Sequence, residues 1–262
     1  VTSSHFRRLW PLAAIAAAAS LAGCAAMDDF SWTQRNFEVF VTPSDPLAAL
    51  KSEDPNLRKR ALRAMPEPLR NGGTQKDQDA YVAALCQAAA SDTTPLCRMA
   101  AINTLRQYRD PRAIEGLKEA YYRASSFHGE QATVLRRLAL TALGESRDES
   151  AVELLVKVLR EPPAEGPDVD RDARVQERIV AARALGHYQS YQAVSALVEA
   201  MGRAEDVGLQ RVSHESLVTI TREDLPPDAR QWEEYLRRTS GRPITPRATW
   251  PGEGILRAVG WK

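Results

Sequence analysis

The 262-residue chain is 44% hydrophobic and 26% charged, too apolar for disorder throughout and long enough for one large globular or repeat domain. Thirty-five Lys and Arg against thirty-four Asp and Glu leave a formal charge of +1, so no global field draws it to polyanions, and nucleic acid is not an expected partner. Three cysteines do not make a disulfide framework, and no stretch reaches the ~20 apolar residues that span a bilayer.

His5, Arg7 and Arg8 open the chain, and about thirteen mostly apolar residues follow from Leu9 to Leu21, the length of a signal-peptide core rather than of a span. Leu21-Ala22-Gly23-Cys24 then resembles a bacterial lipobox. The resemblance implies removal of residues 1–23 as a signal peptide, diacylglyceryl transfer to the Cys24 sulfur, and acylation of the freed amine. Because each buried methylene contributes only ~0.8 kcal/mol, two or three chains are what hold such a protein at a membrane. Ala25 and Ala26 in place of an Asp after the cysteine imply, by analogy with Gram-negative sorting, an outer-membrane anchor facing the periplasm. The alternative is a buried Cys24 thiol at the end of an uncleaved anchor helix. Residues 24–45 read as a linker, with Phe30, Trp32, Phe37 and Phe40 set to pack on the first repeat or to lie against lipid headgroups.

Beyond the linker the chain repeats. An Arg-x-x-Ala-x-x-x-Leu/Met frame recurs as Arg58-Ala61-Met65, Arg98-Ala101-Leu105, Arg136-Ala139-Leu143 and Arg178-Ala181-Leu185, at offsets of 40, 38 and 42 residues, with a degenerate Gln210-Ser213-Leu217 after 32 more. A second segment follows in register: Ala113-Ile114-Leu117, Ala151-Val152-Leu155 and Ala193-Val194-Leu197. Both segments have apolar residues at helical spacing, and the breaks "RDPR" (109–112) and "ESRDES" (145–150) supply Pro and capping Asp or Ser. The unit is a helical hairpin of about 40 residues. One hairpin cannot bury its apolar face alone, which predicts an all-α chain: an α-solenoid of about four to five stacked hairpins over residues 46–238. Period and pattern resemble HEAT repeats, in particular the short bacterial HEAT-like units. With the lipobox, the layout is similar to bacterial HEAT-repeat lipoproteins, a likeness that implies architecture and no activity.

Departures from the repeat mark where function is to be sought. Repeat one carries an insertion, "PEPLRNGGTQKDQD" (66–79), and two connectors are long, "YYRASSFHGEQ" (121–131) and "EPPAEGPDVDRD" (161–172). The two connectors join second to first helices and should share one edge, a candidate binding rim centred on Tyr122, Phe127 and His128, residue types enriched in interface hot spots. Core packing of one tyrosine is the competing reading, since Tyr121 and Tyr122 prolong the stripe of Leu117. Residues 239–262, with Pro243, Pro246, Pro251, Gly252 and Gly254, form a tail that cannot be one helix.

Catalytic and metal signatures are missing from the sequence. His128, His187 and His214 fall in different repeats without metal-binding spacing, and consecutive Ser213-His214-Glu215 would diverge by ~100° per residue on a helix. Asp168, Asp170 and Asp172 have the start of a calcium loop, but Ala173 stands where Gly is needed and Ile179 where a bidentate Glu is needed. No cofactor, metal or small-molecule substrate is expected. Cys86 and Cys97, on adjoining helices, are either two buried thiols or a bridge that would stabilise by ~3 kcal/mol. The Arg column at 58, 98, 136 and 178 either braces neighbours, for instance through Asp110 or Asp148, or lines an anionic groove.

The expectation is a non-enzymatic, lipid-anchored scaffold or adaptor for protein partners in the cell envelope. Two alternatives stand beside it. Some HEAT-like proteins resemble bilin lyases, which implies an enzyme or enzyme subunit, and Trp250 and Trp261 suit sugar stacking in a peptidoglycan- or polysaccharide-binding structural protein.

Overall fold

The computed structural model describes residues 43–162, 168–203 and 206–239. Among them all regular structure is helical: α1 (Pro46–Ala49), α2 (Pro55–Arg63), α3 (Gln75–Ser91), α4 (Pro95–Leu105), α5 (Pro111–Arg123), α6 (Glu130–Ser146), α7 (Val152–Arg160), α8 (Asp168–Leu185), α9 (Tyr191–Arg203), α10 (Val207–Thr221) and α11 (Ala229–Thr239), with three short 3-10 turns.

The helices start where side chains supply the missing acceptors. Asp54 and Asp110 each cap a helix whose first residue is Pro, a position where the absent N–H costs nothing. Thr74 and Asp77 form a capping box at α3, and Asp206 accepts from the Leu209 amide at 2.8 Å to open α10. Arg147 and Arg222 end α6 and α10 in the left-handed region, φ 55° and 60°, an unusual place for a side chain with a Cβ.

The helices stack in two layers. In the first, α2, α4, α6, α8 and α10 each pack on the next; in the second, α3 packs on α5, and α7 on α9 and α9 on α11, while α5 meets the 3-10 turn leading into α7. Each second-layer helix also lies closely against the first-layer helix of the following repeat, α3 on α4, α5 on α6, α7 on α8 and α9 on α10. The frame residues make this possible. Ala61, Ala101, Ala139 and Ala181 are fully buried, as are Met65, Leu143, Leu185 and Leu217, and the Ala-Val/Ile-Leu triplets of the second layer join the same core, which runs from Leu62 to Leu236. Each buried Leu or Val contributes ~1.5–3 kcal/mol, and no hairpin could collect that alone.

Polar staples run between repeats as well. Carbonyls at or just beyond the end of a first-layer helix, which lack the backbone donors of its interior, take hydroxyls from the next repeat: Leu62 O accepts from Thr104 at 3.0 Å, Met65 O from Tyr108 at 2.9 Å, and Leu143 O from Tyr188. Two connectors differ from their expected extents. Helix α5 continues through Arg123 because Ala120 and Tyr121 prolong its buried stripe, and α8 already begins at Asp168, which shortens the second connector.

Candidate functional site

One edge of the stack is formed where second-layer helices end and first-layer helices begin, and the Arg column points there. Arg58 holds Asp92 with two parallel bonds (2.9 and 3.1 Å) and also donates to the carbonyls of Ser52 and Glu53, both at 3.0 Å. Arg98 donates to Asp92 O at 2.8 Å and Arg123 O at 2.9 Å, and Arg178 to Leu159 O at 3.1 Å. Arg136 pairs with Glu177 at 3.1 Å. The column therefore braces repeats, but its partners are not Asp110 and Asp148, which are occupied as helix caps on the opposite edge. The reason is that each Arg stands on the face of its first-layer helix that meets the ends of second-layer helices, so Arg98 reaches carbonyls at the ends of α3 and α5 and Arg178 one at the end of α7. Burial lowers the basicity of Arg98 and Arg178, whereas the bond to Asp92 raises that of Arg58.

The aromatic connector sits on this edge and divides into buried and exposed parts. Tyr121 is buried, its hydroxyl 3.5 Å from Glu177, and burial pushes its phenol up. Glu177 is itself almost inaccessible; Arg136 and Arg174 flank it, and Arg174 also pairs with Glu161, so that with Tyr121 of α5 this cluster ties α6, α8 and the end of α7 together. Tyr122 is 49% exposed, edge-on to Tyr121 with centroids 5.4 Å apart, and the Lys157 ammonium stands over its ring at 5.4 Å. Phe127 is half-buried beneath the Arg98 guanidinium, 4.6 Å from its ring centroid, and His128 is exposed. Leu96 and Val207 also stand exposed at the starts of α4 and α10 on this edge. Sequence reasoning missed both, although each is an apolar residue out of phase with its helix's buried stripe.

The bridge that the sequence allowed between Cys86 and Cys97 is not formed: both are free. They face different neighbours. Cys97 on α4 lies against α2 with its thiol 3.3 Å from Pro55 O, whereas Cys86 on α3 faces α5 with its thiol 3.6 Å from Arg112 O. Burial pushes the Cys86 thiol up from 9.0 to about 11. At pH 8 its thiolate fraction is then about a hundredfold below that of an ordinary thiol, so iodoacetamide should label it about that much more slowly in the folded chain than after denaturation, with the rate still rising at pH 10. Unchanged labelling on denaturation would contradict this.

Cys86 also explains a glycine. A Cβ on Gly116 of α5 would stand 2.3 Å from the Cys86 sulfur and 3.1 Å from its Cβ. Gly116→Ala should cost about 1–3 kcal/mol by overpacking, and Cys86→Ala in the same chain should recover most of it, since Ala suits a helix better than Gly. Chemical denaturation of the two single variants and the double variant measures this; additive losses would reject the contact.

Of the histidines, His214 holds Leu225 O at 2.7 Å and packs on Trp232, while His128 and His187 are exposed in separate repeats. Among the described residues no group of three or more His, Cys, Asp or Glu is placed to hold a metal, and no helix is long and apolar enough to cross a membrane. Cys24, the aromatics of the 24–45 linker, and Trp250 and Trp261 lie outside the described residues.

Comparison with known families agrees with this architecture. Residues 44–132 match the model for HEAT repeats, and residues 135–161 match that for the PBS lyase HEAT-like repeat. No curated protein matches the chain. The matched segments cover the hairpins from α1 to α7, which are similar to HEAT-like repeats, and α8 to α11 continue the same two-layer stack.

Proposed function

We propose that this chain is a lipid-anchored scaffold or adaptor of the cell envelope, tethered through Cys24, that presents its HEAT-type edge to a protein partner around Tyr122. The observation that carries the reading is the state of Tyr122: a large aromatic left 49% exposed on this edge, beside the exposed Leu96, Val207 and His128, and already oriented by Tyr121 and Lys157. An aromatic fixed before contact loses little freedom on binding, which favours it as an anchor over a mobile side chain. Support for the tether is the sequence Leu21-Ala22-Gly23-Cys24 behind an apolar run. Binding rather than catalysis is the role assigned.

Two measurements test the halves separately. Metabolic labelling with a fatty acid should mark the wild type and not Cys24→Ser; equal labelling would remove the anchor. A photocrosslinker at Ser125, beside Tyr122, should capture a reproducible polypeptide that Tyr122→Ala loses, and no such capture would remove the rim. The match of one hairpin to the PBS lyase HEAT-like model favours a second reading, a lyase-type enzyme subunit. That reading requires a polar pocket at His128 or His187, and release or attachment of a chromophore by the purified chain would establish it.

A further inference from the structure

The opposite edge, where first-layer helices turn into second-layer ones, carries a different chemistry. A hollow of about 540 Å³ lies between the turns that follow α4 and α6, lined by Arg70, Arg106, Arg109, Glu145 and Arg147. It continues into a second hollow of about 340 Å³ under the repeat-one insertion, the two sharing Arg70, Gln107 and Tyr108. The walls are built. Tyr108 is buried and fixed through its hydroxyl to Met65 O, and buried Glu67 ties the insertion to its neighbours by accepting from Gln78 at 3.3 Å and from the Arg109 backbone amide at 3.1 Å.

Within this frame the cations exceed what the chain itself neutralises. Arg106 is paired with Glu145 at 3.3 Å, and Arg70 is only loosely held, 3.8 Å from Glu67 and 55% exposed. Asp148 is occupied as a cap on the Ser150 amide at 2.9 Å. The side chains of Arg109 and Arg147 are given neither a hydrogen bond nor an ion pair by any described residue. Arg147 moreover occupies a left-handed position, φ 55°, where glycine would be easier, and so places a charged side chain at the lip of the hollow at a conformational cost.

We propose that this groove binds an extended, acidic segment of a partner polypeptide, with Arg70, Arg109 and Arg147 taking its carboxylates. A guanidinium matches a carboxylate with paired donors, and three of them spread along an elongated hollow suit a chain that can set its acids at intervals. Glu145 and Asp148 at the lip repel a ligand charged at every unit, and the overall charge of +1 adds no attraction for one, so a peptide is favoured over a nucleic acid or a polyphosphate. Leu69, 50% exposed beside Arg70, offers an apolar contact to a neighbouring side chain. The site is independent of the edge at Tyr122 and stands or falls without it.

Fluorescence anisotropy of a labelled peptide of alternating Glu and Ser, titrated with the full chain in detergent, tests the proposal. Binding should weaken with salt, vanish when Gln replaces Glu in the peptide, and fall about fivefold for each of Arg109→Gln and Arg147→Gln, while Arg211→Gln on α10 leaves it unchanged. Arg147→Gly separates binding from folding: it should raise the melting temperature and still weaken the peptide. No measurable binding by the wild type, equal binding by the groove variants, or displacement of the peptide by polyphosphate or duplex DNA at lower concentration than by unlabelled peptide would each overturn the assignment.

Discussion

Trp232→Ala is expected to remove about 4 kcal/mol, and to remove it locally. Trp232 is fully buried, meets His214 and Tyr235 edge-on at 6.1 and 5.8 Å, and donates its indole N–H to Pro226 O at 3.0 Å. With Tyr235 and Leu236 it forms the entire buried face of α11, the last described helix of the stack. Alanine would leave a cavity that two neighbouring side chains cannot fill and a carbonyl without its donor. Because each repeat depends only on its neighbours, the loss should appear as fraying of one end. Hydrogen exchange should show α11 and then α10 opening early while the amides of α4 to α6 keep their protection. A uniform fall in protection across all helices would mean that the stack unfolds as one unit and would contradict the nearest-neighbour account.

Gly144→Ala is expected to act in the middle of the same stack. A methyl group there would stand 2.6 Å from the Cβ and 2.7 Å from the Cα of Ala184, so α6 and α8 touch through backbone as well as side chain. The obstacle cannot rotate away, and the helices must separate by roughly 1 Å along a tightly packed seam. Overpacking of this kind costs ~3 kcal/mol, of which about 1 kcal/mol is offset by the better helix propensity of alanine, for a net loss of about 2 kcal/mol. Gly144→Val should exceed that. The position differs from Gly116, where the obstructing atom is a sulfur that a second substitution can remove; Ala184→Gly would clear only the Cβ and leave the Cα in place. Urea denaturation with the two probes placed at either end of the stack should show both halves weakened. A Gly144→Ala variant as stable as the wild type would show that the seam can open without cost.

These two sites also show what could and could not be read from residues alone. The alanine and leucine columns were legible because a stacked helical hairpin buries the same positions in every unit, so Ala101, Ala139 and Ala181 had to recur in phase with Leu105, Leu143 and Leu185. The second-layer triplets followed for the same reason, and with them the all-α solenoid. The Arg column was legible as a column, but not its partners: Asp92, Glu177 and the carbonyls of Arg123 and Leu159 come from other helices, at separations set by how hairpins stack. Tyr108 and Tyr188, each seven residues beyond an anchor alanine, were visible in register too, yet Ser146 in the third repeat interrupts the pattern and hid the staple.

The rim residues divide along the same line. That Tyr121 and Tyr122 lie on one connector is a fact of sequence; which of the pair is buried depends on Glu177 and Lys157 arriving from α8 and α7. Phe127 is withdrawn from solvent by Arg98, a residue 29 positions earlier in the chain. Periodic burial is a property that each repeat carries in its own residues, so the sequence by itself determined the period, the helical class and the stacked core of this protein. The choice between free and engaged thiols, the acceptors of the arginines and the unsatisfied cations along the turn edge were decided only by tertiary structure, because each depends on a distance between side chains that separate repeats contribute.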